Sequence, residues 1–411
     1  MKKDLILVLY GSTGDLSFRK LLPAIVSLKE KEILPEKTIV LALGRRTFDT
    51  NEYLEFVKSN NPSLNIDVLK DLVHYHEIQI TEEDEYPKLL NLINEYRFKT
   101  SRIIHYLSVA PELMLTVANS ISQYDVVKKD DLYSSIIFEK PFGVDYHSSR
   151  YLNKKLWTLF DEKQIYRIDH YLGKKMLTDL IDIRFKSAIF APILKTSNVK
   201  HIDLIVKEEV GIMNRGAFYE STGASKDMFQ SHILQMISLV LMDRPRTFDS
   251  KAIINQKVKV IKQLKLDEKS LVFGQYNGYL NEDNVASNSL TETLLSLNMK
   301  YKNTTISVLT GKKMNSKETY INYVLNDGST LRVSIYPELS LTINSKFNSE
   351  NIVFKHEFSS ELDEYAMLLY SAINNQKEMF VRWDEIEASW KFVDNLVSKK
   401  KELLIYNKDL K

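Results

Sequence analysis

The first part of the chain alternates continuous apolar runs with longer amphipathic stretches. A continuous apolar run is typical of a strand buried on both faces of a parallel sheet, and the amphipathic stretches predict connecting helices. The apolar runs cover residues 5–9, 38–43, 102–109 and 134–138, and a helical stretch follows the first run to about residue 30. This alternation predicts an N-terminal α/β domain with a doubly wound, Rossmann-like sheet, which we place at residues 1–172.

The second part of the chain carries shorter runs with strand character, separated by turn residues such as Asn326-Asp327-Gly328. These runs lie at residues 201–206, 257–264, 291–300, 304–309, 318–325, 330–335 and 340–343. Helices are expected at about 225–242, 361–372 and 383–398. We therefore predict an α+β substrate-binding and dimerisation domain at residues 173–411, with a large, mostly antiparallel sheet whose edge or face is a candidate dimer surface.

Length, charge and cysteine content exclude several classes of function. A chain of 411 residues exceeds one ordinary core, so two domains are expected. Lys and Arg (56) nearly balance Asp and Glu (54), which argues against a nucleic-acid or polybasic membrane surface. The absence of cysteine excludes disulfides, thiolate catalysis and Cys-ligated metals. With no apolar stretch near about 20 residues and no signal-peptide pattern, we expect a cytoplasmic protein that binds neither membrane nor nucleic acid.

A glycine-containing segment, Gly11-Ser12-Thr13-Gly14-Asp15-Leu16, lies between the first predicted strand and its helix. Strand, glycine turn and helix are the context of a phosphate cradle, although a tight turn explains two glycines equally well. The second strand ends in Gly44-Arg45-Arg46, where an NAD-binding domain usually has an acidic residue. An arginine pair there suits a 2′-phosphate and therefore favours NADP over NAD. The alternative interpretation is that the two arginines are ordinary surface residues after a strand.

The fourth apolar run ends in Glu139-Lys140-Pro141-Phe142-Gly143. Ligands of doubly wound sheets bind beyond the carboxyl ends of the strands. Lys140 is therefore predicted to lie where a nicotinamide ring and a substrate meet.

Two polar clusters suggest proton transfer on an anionic substrate. Residues 166–174 contain an arginine, a carboxylate, an imidazole and a lysine among apolar spacers, and residues 223–232 place Asp227 about one helical turn before His232. A carboxylate of one cluster could orient the imidazole of the other as a general base. The alternative interpretation is a local polar turn in the first cluster and a histidine packed at a helix end in the second.

Taken together, these segments resemble the glucose-6-phosphate dehydrogenase family nearly from end to end, in the same order and at the same spacing. The matching segments are Gly11–Leu16 with Arg19–Pro23, Gly44–Arg46, Glu139–Gly143, Arg167–Lys174, Glu208–Gly211, Gly223–His232, Thr310–Met314 with Lys317, and Phe380–Glu385. The cluster around His170 is the most specific of them.

The resemblance implies a role for each matching residue. His232 would be the general base that takes the proton from the C1 hydroxyl of glucose 6-phosphate, and Asp169 would orient and stabilise its imidazolium form. The residues implied in substrate binding are Lys20, Lys140, His170, Tyr171, Lys174, Glu208, Asp227, Lys312 and Lys317. Those implied in cofactor binding are Gly11, Ser12, Thr13, Gly14, Asp15, Leu16, Arg46, Lys140 and Pro141.

Within these sets the resemblance is more specific. His170, Tyr171 and Lys174 would bind the phosphate, while Arg46 would hold the 2′-phosphate of NADP, with NAD as the alternative cofactor. A cis Pro141 would help to position the nicotinamide. Loss of the hydroxyl proton raises electron density at C1 and drives hydride transfer, so no metal is needed.

The chain also departs from the family pattern. Leu309 stands where the family has an arginine before Gly311, Ser231 replaces an asparagine, and the chain is shorter than typical members. These departures keep three hypotheses open: a glucose-6-phosphate dehydrogenase, a dehydrogenase of a related hexose phosphate, and a non-catalytic homologue that binds sugar phosphate or NADP. We expect a homodimer or a higher homo-oligomer.

Overall fold

The computed structural model describes residues 4–98, 101–346, 351–354 and 361–408. Within these ranges the strands are β1 (Leu5–Tyr10), β2 (Thr38–Gly44), β3 (Val73–Glu77), β4 (Arg102–Leu107), β5 (Ser134–Phe138), β6 (Ile165–Arg167), β7 (Val199–Lys207), β8 (Lys265–Tyr276), β9 (Leu294–Tyr301), β10 (Thr304–Gly311), β11 (Glu318–Leu325), β12 (Thr330–Tyr336), β13 (Ser340–Asn344), β14 (Asn351–Phe354) and β15 (Leu403–Tyr406). The helices are α1 (Leu22–Glu30), α2 (Thr50–Asn60), α3 (Glu85–Tyr96), α4 (Met114–Gln123), α5 (Tyr146–Leu159), α6 (Lys175–Phe185), α7 (Phe190–Ile193), α8 (Gly216–Ala224), α9 (Leu234–Leu241), α10 (Ser250–Gln263), α11 (Glu364–Ile373) and α12 (Trp383–Val397). None of these described helices is both long enough and apolar enough to span a bilayer.

The chain forms two compact units, each assembled from separate stretches of sequence. The first unit contains the described parts of Met1–Gly143, His147–Gly173 and Ser360–Trp383. The second contains the described parts of Val144–Tyr146, Lys174–Ser359 and Asp384–Lys411. The division of the sequence into domains 1–172 and 173–411 stays a prediction.

The first unit is built on a six-stranded sheet with the order β3-β2-β1-β4-β5-β6, in which all pairs are parallel. The central strand β1 starts level with both neighbours, Leu5 pairing with Thr38 of β2 and with Arg102 of β4. All six residues of β1 are buried, because helices cover both faces of the sheet. The doubly wound fold predicted from the apolar runs is confirmed.

Successive side chains of β1 point into two different cores, as the two-residue period of a strand requires. Leu5, Leu7 and Leu9 belong to one core, whereas Ile6, Val8 and Tyr10 belong to the other. The loops at the carboxyl ends of the strands therefore extend from a sheet that packs against a core on each of its two faces.

Helix α11 belongs to the first unit, although it lies nearly 200 residues beyond β6 in the sequence. Its residues Leu368, Leu369 and Ala372 are buried in the same core as Leu5 and Ile25. Asp363 caps the helix by accepting a hydrogen bond from the Ala366 N–H at 2.8 Å. Helix α11 is thus packed into the core of the Rossmann-like first unit.

The second unit contains a nine-stranded sheet with the order β14-β13-β12-β11-β7-β10-β9-β8-β15. The β7–β10 and β8–β15 pairs are parallel, and the other pairs are antiparallel. Buried and half-buried residues alternate along β10 and β11, which is typical of a sheet with one covered face. The prediction of a large, mostly antiparallel sheet is confirmed, and Gly328 has the positive φ of +88° expected of the turn after β11.

One predicted strand is wrong, because residues 257–264 lie in and just after helix α10. The β-branched residues of this stretch suggested a strand, but its buried positions Ile254, Lys257, Val258 and Ile261 follow the helical spacing of three and four. Lys257 is fully buried and pairs with the equally buried Glu385 of α12 at 2.9 Å. Strand β8 follows directly and was missed, since its first residues are polar and exposed.

Candidate active site

The segment Gly11–Leu16 connects the carboxyl ends of three neighbouring strands. Gly11 has φ +74°, and a Cβ there would lie 2.3 Å from the carbonyl oxygen of Ser108, just beyond β4. The Ser12 N–H donates to the Leu43 carbonyl of β2 at 2.9 Å. Glycine is therefore required at position 11 both by its backbone conformation and by the close approach of β4.

The helix that follows this segment begins with a π-helical turn, Ser17–Leu21, that contains Lys20. Asp15, predicted to bind the cofactor, forms an exposed ion pair with Arg19 at 3.3 Å. The Oγ of Ser12 is buried and has no hydrogen-bond partner among the described residues. A polar atom left unpaired in a glycine turn fits a dinucleotide phosphate at this position.

Arg46 is exposed just after β2, in the place predicted for a 2′-phosphate ligand. Its carbonyl accepts a hydrogen bond from the Tyr75 hydroxyl at 2.6 Å, and its guanidinium lies 4.7 Å from the centre of the Phe56 ring. None of the ion pairs among the described residues includes Arg46. The side chain is thus supported on an aromatic face with its charge available to an anion.

The loop after β5 holds Lys140 and Pro141, and the peptide bond between them is cis, as predicted. The preceding residue, Glu139, accepts a hydrogen bond from the Tyr106 hydroxyl. Burial raises the pKa of Glu139, although the Tyr106 hydrogen bond and the charge of Lys140 act in the opposite direction. Glu139 therefore holds the loop from within the unit, next to the half-buried Lys140.

His170 and Lys20 both contact the ring of Tyr365 in the first unit, and the Tyr171 ring in turn lies 5.2 Å from the His170 ring. The His170 and Tyr365 rings are stacked with centroids 6.3 Å apart and planes 11° apart, and the Lys20 ammonium lies 5.8 Å from the Tyr365 centroid. Lys20 also pairs with Glu364 at 3.3 Å. The structure thus brings together two predicted substrate ligands and one predicted phosphate-site histidine around helix α11.

Asp169 precedes this group and is almost fully buried. Its Oδ1 accepts a hydrogen bond from the Tyr171 N–H at 3.0 Å. A Cβ on Gly173 would lie 2.2 Å from the Glu364 carbonyl oxygen, so the turn after Asp169 packs tightly against the start of α11. The backbone of residues 169–173 is consequently fixed by contacts within the first unit.

In the second unit, Glu208 and Lys312 form an ion pair at the ends of the parallel strands β7 and β10. The Glu208 N–H donates to the Gly311 carbonyl, and the Met314 N–H donates to the Glu208 carbonyl, both at 2.9 Å. Lys312 is 6% exposed and Glu208 is more open. The pair presents a buried cation and an accessible carboxylate side by side, which suits recognition of sugar hydroxyls.

Tyr219 contacts Lys312 of this pair and was not predicted from the sequence. Its ring centroid lies 5.2 Å from the Lys312 ammonium, and its buried hydroxyl has no hydrogen-bond partner among the described residues. Burial raises the pKa of Tyr219 well above its usual range, and the carboxylates of Asp227, Glu292 and Glu208 act in the same direction. The sequence offered one indication of this residue, which is the presence of a tyrosine shortly before the polar cluster at residues 223–232.

Asp227 and His232 lie on the π-helical segment Ser225–Ile233, and both are buried. Gly223 interrupts the chain before this segment with φ +59°, and the Ser225 N–H donates to Glu292 at 3.1 Å. Wider helical turns of this kind are common at functional sites because they re-aim individual side chains. The segment is therefore anchored at its start by Glu292, a residue without a sequence signal.

Lys174 and Lys317, also predicted to bind substrate, lie at the starts of regular elements of the second unit. Lys174 occupies the N-terminal flank of α6, and Lys317 lies at the start of β11 with its ammonium 4.3 Å from the Tyr336 ring centroid. Leu309, which the resemblance places where the family has an arginine, is half-buried against the cluster that includes Tyr219, Tyr276 and Tyr279. Leu309 thus fills an apolar position rather than supplying a cation.

Comparisons with known proteins agree with this arrangement. Residues 8–179 match the family model for the NAD-binding domain of glucose-6-phosphate dehydrogenase, and residues 181–410 match the model for its C-terminal domain. A glucose-6-phosphate 1-dehydrogenase of Bacillus subtilis is 32% identical over 95% of this chain and 90% of its own length.

Two solved structures are similar over the whole fold. A glucose-6-phosphate dehydrogenase in complex with glucose 6-phosphate superposes with a TM-score of 0.88 at 25% identity, covering 99% of this chain and 95% of that one. A glucose-6-phosphate 1-dehydrogenase from Mycobacterium avium gives a TM-score of 0.85 at 26% identity, covering 99% of this chain and 94% of that one.

Proposed function

Because the chain belongs to the glucose-6-phosphate dehydrogenase family, we propose that it oxidises D-glucose 6-phosphate at C1 to 6-phospho-D-glucono-1,5-lactone with NADP. The observation that carries this conclusion is the match of both family domains, which together span nearly the whole chain. The reaction is the entry to the oxidative pentose phosphate pathway. The chain is thus an oxidoreductase of carbohydrate metabolism.

We propose that His232 is the general base. Neutral imidazole accepts the C1 hydroxyl proton as the C1–H bond breaks, and the C1–O bond becomes the lactone carbonyl. Oxidised NADP supplies the hydride acceptor. The π-helical setting of His232 supports this role, since it fixes the ring on a segment anchored by Glu292. Asp169 is proposed to stabilise the imidazolium that forms.

Phosphate binding is proposed for His170, Tyr171 and Lys174, with Lys20 next to the sugar. The stacking of His170 on Tyr365 and the pairing of Lys20 with Glu364 support this proposal, because they hold an imidazole and an ammonium group at one end of α11. Charge-assisted hydrogen bonds from such groups are about twice as strong as neutral ones. The 6-phosphate is therefore expected to contribute a large part of the affinity.

Recognition of the sugar hydroxyls is proposed for Glu208, Asp227, Lys312 and Lys317. The contact between Glu208 and Lys312 supports a shared hydroxyl site, in which one group accepts and the other donates. Lys317 has its described contact with Tyr336 and is the most exposed of the four.

Cofactor binding is proposed for the glycine segment 11–16 and for Arg46, Lys140 and Pro141. The exposed, ring-supported guanidinium of Arg46 supports a preference for the 2′-phosphate of NADP over NAD. We further propose a homo-oligomer with a surface on the nine-stranded sheet, and a cytoplasmic location where both phosphorylated ligands are found. Light scattering of the purified protein tests the first of these.

The deciding experiment follows reduced-nicotinamide absorbance with purified protein, glucose 6-phosphate and either NADP or NAD. Turnover with NADP that exceeds turnover with NAD is expected. The half-buried Leu309, in place of a family arginine, is a specific reason to include related hexose phosphates as a second candidate substrate class. A folded, NADP-binding protein that turns over none of these sugars would contradict the proposal and favour a non-catalytic homologue.

A further inference from the structure

The first unit contains a cavity at the edge of the sheet opposite the glycine segment. It measures about 510 Å³ and lies at the amino ends of β1 and β4, next to the last turn of α11. Its walls include Leu5, Ile33, Leu132 and Ile373 with the polar residues Arg102 and Asn374. This volume lies in the range of small-molecule sites, roughly 300–1,000 Å³.

Arg102 is the charged group of this cavity, and it is only 7% exposed. Its Nη2 lies 2.7 Å from the Ala372 carbonyl oxygen, 3.2 Å from the Ser135 hydroxyl and 3.2 Å from the Tyr166 hydroxyl. Its Nε is buried and has no hydrogen-bond partner among the described residues. The hydrogen bond to Ala372 at the end of α11 therefore gives Nη2 an acceptor, whereas Nε has none among the described residues.

The positive charge of Arg102 is also uncompensated. None of the ion pairs among the described residues includes it, and its recorded partners are two hydroxyls and one carbonyl. Its field reaches Lys377, since burial lowers the pKa of that lysine and the charge of Arg102 adds a smaller effect in the same direction. A guanidinium buried without a carboxylate is costly, and an anion that enters the cavity would relieve that cost.

We propose that this cavity binds a small organic carboxylate, with its anionic group held by Arg102 and its apolar part against Leu5, Ile33 and Ile373. Because Nη2 is already bonded, the carboxylate would accept a charge-assisted hydrogen bond from another N–H of the guanidinium. The cavity has one cation of this kind, and Glu32 also lies on its wall. A singly charged ligand with an apolar body therefore fits better than a sugar phosphate or a nucleotide.

Helix α11 connects this cavity with the proposed phosphate site. Its last turn lines the cavity through Tyr370 and Ile373, while its first turn carries Glu364 and Tyr365 beside Lys20 and His170. Ten residues of α-helix span about 15 Å, so the two ends belong to one rigid rod. A carboxylate in the cavity is accordingly expected to change the KM for glucose 6-phosphate more than kcat.

The binding test uses phenylacetate, hexanoate and benzoate, with the neutral amide of each as a matched control, on the full chain without substrate. Calorimetry and thermal melting should show that a carboxylate binds with Kd on the order of 1 mM, whereas its amide does not. Equal binding of acid and amide, or no binding of any acid at ten times that concentration, would overturn the site.

Two sets of variants locate the binding. Arg102→Met should abolish it, and because that change can disturb folding, the exposed cavity residue Leu132 provides a safer pair. Leu132→Glu should weaken carboxylate binding by about threefold and Leu132→Lys should strengthen it, since a charge at the rim acts on the ligand charge. Identical affinities in the two Leu132 variants would overturn the location. A probe that binds but leaves the KM for the sugar phosphate unchanged would overturn the link through α11 and retain the site.

Discussion

The two units present their predicted site residues in different ways. In the first unit most of them lie on loops and short turns beyond the ends of parallel strands, with Lys20 on a π-helical turn, and residues such as Tyr53, Tyr75 and Tyr365 support these segments. In the second unit the proposed base lies inside a π-helical segment, and Glu208 with Lys312 lies at strand ends closed by backbone hydrogen bonds. Loops suit ligand binding, whereas regular elements hold a reacting group more precisely in place.

This difference implies a kinetic division between the units. Apart from Asp169, changes in the first unit should act mainly on KM and on cofactor choice. Changes at the π-helical segment of the second unit should act on kcat.

The largest effect is expected for His232→Ala. Removal of a general base lowers kcat by about 10²–10⁴-fold, while KM should change little because the substrate ligands remain. Ser231→Ala is the matched control, since Ser231 donates from its hydroxyl to the Asp227 carbonyl within the same segment. Steady-state kinetics that give His232→Ala a kcat close to that of Ser231→Ala would remove His232 from the role of base.

Arg46→Ala tests the expectation that changes in the first unit act on KM and on cofactor choice. Loss of a charge-assisted contact should raise the KM for NADP by about 10- to 100-fold and leave the KM for NAD nearly unchanged. Arg45→Ala, the exposed neighbour, is the control. If both variants keep the same NADP-to-NAD ratio of kcat/KM as the natural chain, Arg46 does not bind the 2′-phosphate.

Tyr365 allows a smaller and sharper test at the phosphate site. Tyr365→Leu removes the ring stacked on His170 and should raise the KM for glucose 6-phosphate by about two- to tenfold, since such ring pairs contribute about 0.5–1.5 kcal/mol. Tyr365→Phe keeps the ring and should behave like the natural chain. An unchanged KM for glucose 6-phosphate in Tyr365→Leu would show that Tyr365 does not contribute to phosphate binding.

The sequence predicted those parts of the fold and site that depend on local patterns. Continuous apolar runs indicated β1, β2, β4 and β5, and the end of each strand located the glycine segment, Arg46 and Lys140. Short motifs with fixed spacing also indicated Asp227 and His232. These features involve neighbouring residues, so a single chain displays them directly.

The supporting residues could not be predicted, because their partners lie far away in the sequence. Tyr365 stacks on His170 across 195 residues, and Glu292 binds the Ser225 N–H across 67 residues. Helix α10 was mistaken for a strand because β-branched residues occupy its buried face next to Lys257, whose partner Glu385 is equally remote. Pairing of this kind is settled by tertiary packing rather than by local propensity.

One lysine from each unit extends the comparison of the units to stability. Lys257 of the second unit is paired with Glu385, whereas Lys377 of the first unit donates to the Glu162 and Ile165 carbonyls at 3.0 and 2.8 Å. Burial lowers the pKa of Lys377 to about 7, Glu162 opposes the shift, and Arg167 and Arg102 add to it.

Lys377→Met should therefore change how stability depends on pH. The unfolded chain keeps the lysine protonated up to its ordinary pKa, whereas the folded chain releases the proton near pH 7. The unfolded state then binds more protons between about pH 7 and 10, so the free energy of unfolding should rise with pH by at most about 1.4 kcal/mol per unit. Denaturant unfolding at pH 7, 8 and 9 should show this rise in the natural chain and a flatter profile in Lys377→Met. Parallel profiles in the two proteins would mean that Lys377 stays charged in the folded first unit.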